Sequence, residues 1–400
     1  METRVLITGA GIISAVGNSK EEVLASLLSG RSGISSLKYT DAPGLDFPAG
    51  EVKMSDAGLA DVLGISPGTL MNRTALLGIH ALREAIGQAG ISEEMLQEVH
   101  LISGTTVGGM EKTEKHFRDF RENGTYSDFF SVHDCGGTTE LMAGYFSGFD
   151  SVTTLSTACS SAANAIIRGA ELIRSGQADI VAAGGSECLS AFHINGFATL
   201  MILDGKPCRP FDVSRAGLNL GEGAAYLILE SAESAERRGA VPLACLEGYA
   251  NACDAFHQTA SSKNGEGAFR AMSGALSVAG CRPEDVSYVN AHGTGTPDND
   301  ASESAALRRV FGDRLPEVSS TKAFTGHTTS ACGAIESVIC ILAMQNGFIP
   351  ANLNWTESGP DTVVPYSGNA GAHSACCRKV MCNSFGFGGN DSSLLFSACL

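Results

Sequence analysis

Apolar runs bounded by glycine alternate with stretches of helical periodicity along almost all of this 400-residue chain. Residues 99–103 and 178–185 predict buried strands, and residues 73–89 predict a helix with its apolar residues on one stripe. Strands that alternate with helices form largely parallel sheets covered on both faces. The pattern therefore predicts an α/β fold built from such sheets.

The alternation of strands and helices runs through the chain twice. A first series ends near residue 251, and a second series begins near Ala252. We therefore expect two similar halves, residues 1–251 and residues 252–400. Because residue identity between the halves is low, this duplication is inferred from the order of the elements.

The amino-terminal strand carries glycines that superficially resemble a dinucleotide-binding fingerprint. The run from Thr8 to Gly11 supplies two glycines, but residues 12–17 lack the third glycine at its required place. No phosphate-binding helix is predicted directly after the run. The sequence therefore predicts no nucleotide site here.

Cys159 lies at the turn between an extended run, residues 152–154, and a helical stretch, residues 162–173. The first N–H groups of a helix and its positive dipole end stabilise negative charge. We therefore expect the pKa of Cys159 to be lowered, which is typical of a reactive cysteine. A lone cysteine in a tight turn is otherwise a small buried packing residue.

Short motifs elsewhere in the chain favour the catalytic interpretation of Cys159. Two of them place a histidine beside glycine, at His292 and His327, and a third places Phe387 between glycines. Together the motifs resemble the β-ketoacyl-acyl carrier protein synthases, specifically the elongating class with one cysteine and two histidines. In chain order the motifs are residues 209–212 (RPFD), 221–224 (GEGA), 290–297 (NAHGTGTP), 322–328 (KAFTGHT) and 383–389 (NSFGFGG).

The resemblance covers nearly the whole chain and implies the thiolase-like, five-layered αβαβα fold. It implies an acyltransferase, a 3-oxoacyl-acyl carrier protein synthase of fatty acid or polyketide chain elongation. Such an enzyme condenses an acyl thioester with malonyl-acyl carrier protein, with loss of carbon dioxide, through a cysteine-bound acyl intermediate. The implied catalytic residues are Cys159, which receives the acyl chain, and His292 and His327, which hydrogen-bond the malonyl thioester carbonyl.

The same resemblance assigns supporting roles to further residues. The backbone N–H groups of Cys159 and Phe387 would form the oxyanion hole, and the Phe387 side chain would gate the acyl tunnel. Lys322 and Glu303 match the family's supporting charged pair, which we expect to orient His327 and hold the protons of the site. The residues expected to line the acyl pocket are Val107 and Phe385.

Substrates of this family arrive on the phosphopantetheine arm of an acyl carrier protein, so the resemblance implies no further cofactor and no metal. Acyl carrier proteins are acidic, whereas this chain has a formal net charge of −16. Docking therefore requires a local basic patch against the overall field. The same net charge argues against nucleic-acid binding. The candidate docking residues are Arg73, Lys206, Arg209 and Arg215.

The sequence also predicts a location and an assembly. No run of apolar residues is long enough to span a membrane, and residues 1–4 lead straight into a strand rather than a signal peptide. We therefore expect a cytoplasmic protein without a membrane span. The family usually forms homodimers through the central sheets, and pigment and polyketide systems also form heterodimers with a ketosynthase-like partner.

Two segments depart from the family pattern. Asn390 and Asp391 follow the glycine turn where the family usually has Thr-Asn, which leaves the local hydrogen bonding open. Residues 200–207 form a shorter and more apolar loop near the substrate entrance. This loop favours a specialised member of the polyketide, polyunsaturated or aryl-polyene type.

Two other functions stay open. A thiolase shares the fold and acts on coenzyme A thioesters, but it needs a second catalytic cysteine in a Cys-x-Gly turn near the carboxyl end. This chain has Phe387 in its glycine turn. A non-condensing chain-length partner of a heterodimeric ketosynthase keeps the fold but has lost the nucleophile, and Cys159 argues against it.

Overall fold

The computed structural model describes residues 3–40, 47–368 and 377–399. The strands in these ranges are β1 (Val5–Ser14), β2 (Val99–Gly104), β3 (Ser151–Leu155), β4 (Ile180–Glu187), β5 (Gly223–Ser231), β6 (Ala244–Cys253), β7 (Tyr288–Asn290), β8 (Glu317–Ser319), β9 (Lys379–Gly386) and β10 (Asn390–Ser397). The helices are α1 (Lys20–Ser29), α2 (Asp56–Leu63), α3 (Arg73–Ala89), α4 (Met110–Asn123), α5 (Ser127–Ser131), α6 (Cys135–Tyr145), α7 (Ser161–Arg174), α8 (Ala191–Thr199), α9 (Ala232–Arg238), α10 (Glu266–Ala279), α11 (Pro297–Phe311), α12 (Lys322–Thr325) and α13 (Cys332–Asn346). Within the described ranges, no helix combines the length and the hydropathy needed to cross a membrane.

The strand order confirms that the chain consists of two similar halves. The strands join one mixed sheet in the order β3-β2-β4-β5-β1-β6-β10-β9-β7-β8. The first half has the strand order 3-2-4-5-1. When β6 to β10 are renumbered 1 to 5, the second half reads 1-5-4-2-3, which is the same order in reverse. Each half therefore has the same topology, and the two halves meet where β1 pairs with β6.

The expectation of largely parallel sheets is wrong for the strands nearest the centre. β2, β3 and β4 are parallel, as are β7, β8 and β9. β5 and β10, however, run antiparallel to both of their neighbours. Glu187 at the end of β4 lies opposite Gly223 at the start of β5, so the connection between these strands returns at the same edge of the sheet. That connection also supplies residues to the site described below.

The helices form three layers around the two halves of the sheet. α3 packs on β1 and β5 at one outer face, and α10 packs on β6 and β10 at the other. α7 and α13 contact each other and strands of both halves, so they form the middle layer. The largest buried apolar cluster joins these two helices to strands of both halves. This arrangement confirms the five-layered αβαβα fold.

The point at which the two halves divide stays a prediction. The expected boundary between residues 251 and 252 falls within β6, which the strand order groups with β7 to β10. β6 is the first strand of the second series, because it occupies the position that β1 occupies in the first.

Gly9 and Gly11 lie inside β1, where the bare backbone lets α3 pack directly against the strand. A Cβ atom at Gly11 would lie 2.0 Å from the carbonyl oxygen of Ala81, and one at Gly9 would lie 2.3 Å from that of Ala85. No side chain fits at either position without moving the helix. The glycines that resembled a nucleotide fingerprint therefore serve helix packing.

We predict that Gly11→Ala destabilises the protein by about 1–3 kcal/mol, because the new methyl group overpacks the contact with α3. Chemical denaturation followed by circular dichroism measures the change. The matched control is Gly87→Ala on the exposed side of α3, where an added Cβ meets no atom within 4 Å. This control should gain about 0.5–1 kcal/mol, because alanine favours the helix. Equal unfolding midpoints for the two variants would contradict the packing argument.

Candidate active site

Cys159 lies in the turn that joins β3 to α7. Ala158, directly before it, has a left-handed backbone with φ of 53°, which turns the chain sharply. The turn is held because Thr157 N donates to Ser161 Oγ at 2.9 Å, and Ser161 Oγ donates to Ala158 O at 2.6 Å. Cys159 is only 6% exposed. The sulfur is therefore fixed at the buried amino-terminal end of α7.

The two predicted histidines lie beside this sulfur. His327 Nε2 is 3.1 Å from Cys159 Sγ, and the rings of His292 and His327 lie 5.1 Å apart, nearly perpendicular. His327 is held through its backbone, which donates to Asn219 O at 2.7 Å and accepts from Gly221 N at 2.9 Å. The structure thus brings the three predicted catalytic residues to one cavity of about 230 Å³.

The thiol of Cys159 is protonated at neutral pH, so the expected lowering of its pKa is wrong. Burial raises the pKa of Cys159 to about 12, because a thiolate here would lose its hydration. The charge of Lys322 and the N–H groups of Phe387 and of Cys159 itself oppose this shift without overcoming it. The thiol therefore needs a base, and His327 Nε2 lies at hydrogen-bonding distance.

Both histidines are neutral. Burial lowers the pKa of His292 and of His327 well below the usual value, and the nearby charge of Lys322 lowers both further. A neutral imidazole has one donor nitrogen and one acceptor nitrogen. Each ring can therefore donate a hydrogen bond to an oxygen atom, and His327 can accept the proton of Cys159.

Lys322 pairs with Glu336 rather than with Glu303, so the expected charged pair has a different partner. Lys322 Nζ lies 2.5 Å from Glu336 Oε1, and both side chains are fully buried. Burial alone would lower the pKa of Lys322, but the Glu336 carboxylate raises it and keeps the ammonium charged. Glu336 lies on α13, outside the motifs that marked the other residues. The sequence interpretation missed it because only its position in the fold reveals it.

Glu303 supports His292 rather than His327. Its carboxylate accepts from the backbone N–H groups of His292 at 2.9 Å and Gly293 at 2.8 Å, and from Asn383 Nδ2 at 3.2 Å. Burial raises the pKa of Glu303 to about 7, and these donors oppose the rise. Glu303 therefore fixes the turn that carries His292.

One grouping of side chains has metal-ligating atoms close together. The ligand atoms of His292, Cys332 and Glu336 lie within 4.8 Å of one another, the only such group in the part of the chain that the structure describes. The ammonium of Lys322 already neutralises Glu336. A second cation at this carboxylate would be repelled by the first. We therefore assign the charge beside Glu336 to Lys322, and the absence of a metal from the reaction stays a prediction.

Phe387 borders two cavities that meet at Cys159. His292 and His327 line the 230 Å³ cavity, and Cys159 and Phe387 also line a second cavity of about 400 Å³. Val107 is buried in the wall of the second cavity. Phe385 lines the first, with its ring 5.8 Å from the ring of His292. The two predicted acyl-pocket residues therefore lie in different cavities.

Asn390, one of the departures from the family pattern, ties the glycine turn to the helix of the nucleophile. Its side-chain oxygen accepts from Ser160 Oγ at 2.7 Å, Asn164 Nδ2 at 3.0 Å and Asn251 Nδ2 at 2.7 Å. These donors lie at the start of α7, within α7 and on β6. The side-chain oxygen of Asn390 therefore joins three segments of the site.

Arg73 does not belong to a docking surface, so this part of the predicted basic patch is wrong. It is buried, with Nη2 2.6 Å from Glu222 Oε1 and Nη1 2.8 Å from Asp56 Oδ1. The ion pair between Arg73 and Glu222 holds the start of α3 against the last residues of the β4–β5 connection. Counting charges along the sequence could not reveal these buried partners.

The other three predicted docking residues differ in exposure and in whether an acidic side chain pairs with them. Arg209 is paired with Asp204 at 2.7 Å, and Arg215 is paired with Asp361 at 2.8 Å. Lys206 is exposed. Of the predicted patch, Lys206 is the residue that offers its charge to a partner.

The fold and this site define a class of enzyme. A buried cysteine beside a neutral histidine can accept an acyl group from a thioester and hold it as a new thioester. Two backbone N–H groups directed at the same sulfur can stabilise the oxyanion of that transfer. The arrangement is that of an acyltransferase with the thiolase-like architecture.

Comparison with known proteins gives the family within this class. Residues 2–235 match the family described as Beta-ketoacyl synthase, N-terminal domain, and residues 243–356 match Beta-ketoacyl synthase, C-terminal domain. The chain therefore belongs to the β-ketoacyl synthase family. Members of this family are acyltransferases that catalyse the Claisen condensation of fatty acid and polyketide elongation.

The similarity extends over the full length of individual relatives. Nodulation protein E of Rhizobium meliloti (strain 1021) is 36% identical over 99% of both chains. The 3-oxoacyl-[acyl-carrier-protein] synthase 2 of Synechocystis sp. is 34% identical over 98% of this chain and 97% of its own. Among solved structures, the ishigamide ketosynthase/chain length factor has a TM-score of 0.92 at 33% identity, and AntDE:AntF, a type II PKS acyl-carrier protein in complex with its ketosynthase, has 0.89 at 27%, each with full coverage of both chains.

We predict that in the His327→Ala variant, which lacks the base beside the sulfur, alkylation of Cys159 by iodoacetamide accelerates about tenfold per pH unit from about pH 6 to pH 9, without a plateau. The reason is that the reactive thiolate fraction keeps rising below a pKa of about 12. Mass spectrometry of the Cys159 peptide measures the rate. N-acetylcysteine under the same conditions should level off above about pH 8.5. A plateau for Cys159 below pH 7 would mean that the helix dipole outweighs burial.

We predict that Lys322→Met lowers the free energy of unfolding by about 3–5 kcal/mol, because it leaves Glu336 buried without its cation. The double variant Lys322→Met/Glu336→Gln removes both charges and should recover most of that loss. Urea denaturation of the two variants measures the difference. Equal stability of the single and double variants would show that the buried pair is not coupled.

Proposed function

We propose that the chain catalyses the decarboxylating condensation of an acyl thioester with malonyl-acyl carrier protein, with Cys159 as the nucleophile and His292 and His327 as the groups that stabilise the malonyl-derived enolate. The observation that carries this proposal is the 3.1 Å contact between His327 Nε2 and Cys159 Sγ, with His292 across the same cavity. The product is 3-oxoacyl-acyl carrier protein.

In the first half-reaction, Cys159 takes the acyl chain from its carrier. As the sulfur bonds to the thioester carbonyl carbon, its proton passes to His327 Nε2, because the thiol pKa is too high for the thiolate to exist free. The N–H groups of Cys159 and Phe387 hydrogen-bond the oxyanion. The carbon–sulfur bond to the carrier then breaks, and the leaving phosphopantetheine thiolate takes the proton back from His327.

In the second half-reaction, the malonyl group loses carbon dioxide and its electron pair forms an enolate. His292 and His327 donate hydrogen bonds to the enolate oxygen, which neutral rings can do without being charged. The enolate carbon bonds to the acyl carbon on Cys159, and the carbon–sulfur bond breaks to release Cys159 as a thiolate. Because the pKa of Cys159 is high, this thiolate takes up one proton from water, which restores the thiol. Lys322 and Glu303 keep the two rings in place, through the nearby positive charge and through the His292 turn.

We propose an acyl carrier protein as the partner that delivers both substrates on its phosphopantetheine arm, so that no further cofactor or metal is required. Similarity to the AntDE:AntF complex supports this partner. Lys206 is the exposed residue of the predicted patch and lies in the β4–β5 connection, which also lines the active-site cavity through Ile202. A cytoplasmic location also stays a proposal.

A second chain is proposed to pair with β3. This strand is at the edge of the sheet, and Val152 and Leu155 on it are only half-buried in the single chain. An exposed edge strand with apolar residues is suited to pairing with another strand. A homodimer is the simplest assembly, and similarity to the ishigamide ketosynthase/chain length factor supports the heterodimeric alternative. Native mass spectrometry of the purified chain, alone and with a partner subunit, distinguishes the two.

Similarity to AntDE:AntF, a type II PKS acyl-carrier protein in complex with its ketosynthase, supports a polyketide pathway over housekeeping fatty acid synthesis. The apolar loop at residues 200–207 contributes to both cavities, because Leu200 lines the larger one and Ile202 the smaller. The change in this loop therefore alters the walls that contact substrate. A thiolase reaction is disfavoured, because the glycine turn holds Phe387 rather than cysteine. A non-condensing partner subunit is disfavoured, because Cys159 has a base at hydrogen-bonding distance.

We predict that Cys159→Ala abolishes both acylation and condensation, measured by intact-protein mass spectrometry and by product formation with acyl- and malonyl-carrier proteins. Cys159→Gln should lose condensation but continue to decarboxylate malonyl-carrier protein, because both histidines remain. The variant His327→Ala is the companion control and should lose decarboxylation as well. Condensation by Cys159→Ala at the wild-type rate would refute the assignment.

A further inference from the structure

The larger cavity beside Cys159 has a mostly apolar wall that contains one polar atom without a hydrogen-bond partner. Apart from Cys159, its polar side chains are Thr106, Thr329 and His193. Both threonine hydroxyls donate to the carboxylate of Glu187. His193 Nδ1 is buried and has no hydrogen-bond partner among the residues that the structure describes. The cavity thus presents one unsatisfied imidazole nitrogen among hydrocarbon side chains.

His193 is held firmly in this position. It lies in the first turn of α8, where its backbone N–H donates to Ser190 Oγ at 3.1 Å. Its ring packs edge-on against Phe197, with the ring centroids 5.1 Å apart. His193 is 8% exposed.

The carboxylate of Glu187 does not satisfy His193, although it lies close by. Beyond the two threonines, Glu187 accepts from Val107 N at 2.8 Å, Thr105 Oγ1 at 2.8 Å and the hydroxyl of Ser330. Its acceptor sites are therefore filled. Burial lowers the pKa of His193, and the charge of Glu187 and a hydrogen bond from the ring to the backbone of Cys188 oppose this only in part, so the ring is neutral.

We propose that His193 is a specificity-determining residue that selects acyl chains carrying a hydroxyl substituent close to the thioester. A saturated chain in this cavity would cover the imidazole nitrogen without giving it a hydrogen bond, which is unfavourable for a buried polar group. A hydroxyl group on the chain would supply the bond. A site built to hydrogen-bond an oxygen strongly disfavours the analogue that lacks it.

The proposal rests on the function proposed above, because it concerns the acyl chain bound to Cys159. The cavity that His193 lines includes Cys159, Ala158 and Phe387, so the first carbons of a bound chain enter it directly. One ring N–H of His193 is used by the backbone of Cys188, and Nδ1 has no partner, so Nδ1 is the acceptor of the neutral ring. A hydroxyl group can donate to it, whereas a keto group cannot.

The test compares three pantetheine thioesters as acyl donors: acetyl, octanoyl and 3-hydroxyoctanoyl. Intact-protein mass spectrometry gives kcat/KM for acylation of Cys159 by each. The wild-type protein should prefer 3-hydroxyoctanoyl over octanoyl by about tenfold or more. His193→Leu, an apolar side chain that still fills the space, should abolish that preference and accelerate octanoyl transfer. His193→Gln, which keeps a donor and an acceptor, should retain at least half of the preference on a logarithmic scale.

Acetyl transfer is the internal control, because a two-carbon chain has no third carbon to place beside His193. It should change less than about threefold in both variants, which also shows that they are folded. Val107→Ile, in the same cavity wall, should slow both eight-carbon donors equally. An unchanged preference in His193→Leu, or a wild-type preference for octanoyl, would overturn the role of His193 alone. Failure of every donor, acetyl included, to acylate Cys159 would instead overturn the proposed function.

Discussion

The contact between Cys159 Sγ and His327 Nε2 is the interaction on which the rest of the site depends. Burial keeps the sulfur protonated, so its reactivity comes from the neighbouring ring rather than from the helix end on which it lies. The same burial keeps both histidines neutral. Lys322 adds positive charge without titrating, because Glu336 holds it as an ammonium. Desolvation therefore sets the protonation of all three residues. The charge of Lys322 opposes its effect on the pKa of Cys159 and adds to its effect on the pKa of both histidines.

The site is positioned mainly through peptide groups. His327 is held through its own N–H and carbonyl, and Glu303 holds the backbone beside His292. Asn390 ties the glycine turn to the helix of the nucleophile. Because the supports of the two histidines engage the backbone, the nitrogen atoms of both rings are left free to meet a substrate. This is what a site requires if its rings must exchange hydrogen bonds during two successive half-reactions.

The reactive residues could be predicted from the sequence because each lies in a short motif at the end of a strand or helix. The alternation of elements likewise predicts an α/β fold in two halves. The direction of β5 and β10 could not be predicted, because it depends on where a long connection returns to the sheet. The partner of Lys322 could not be predicted either, because Glu336 lies on a helix that approaches the site only in the folded chain.

The pKa of Cys159 and the environment of Arg73 show a second limit of sequence reasoning. A helix dipole can be inferred from the order of residues, but the loss of water around a thiol cannot, and the loss of water is the larger effect here. Arg73 similarly adds a positive charge to the net charge of the sequence, whereas in the fold it is buried and forms ion pairs with Glu222 and Asp56. The unsatisfied nitrogen of His193 could not be predicted either, because it depends on which groups surround the ring in the folded chain.

The mirrored order of the strands has a consequence for how such a chain can change over time. The first half contributes the sulfur, and the second contributes both imidazoles and the phenylalanine beside them. The middle helix layer is made of one helix from each half. The two halves share one topology but contribute different residues to the site, and neither half contains all of them. The active site therefore depends on the interface between the two halves, and both halves must be retained together.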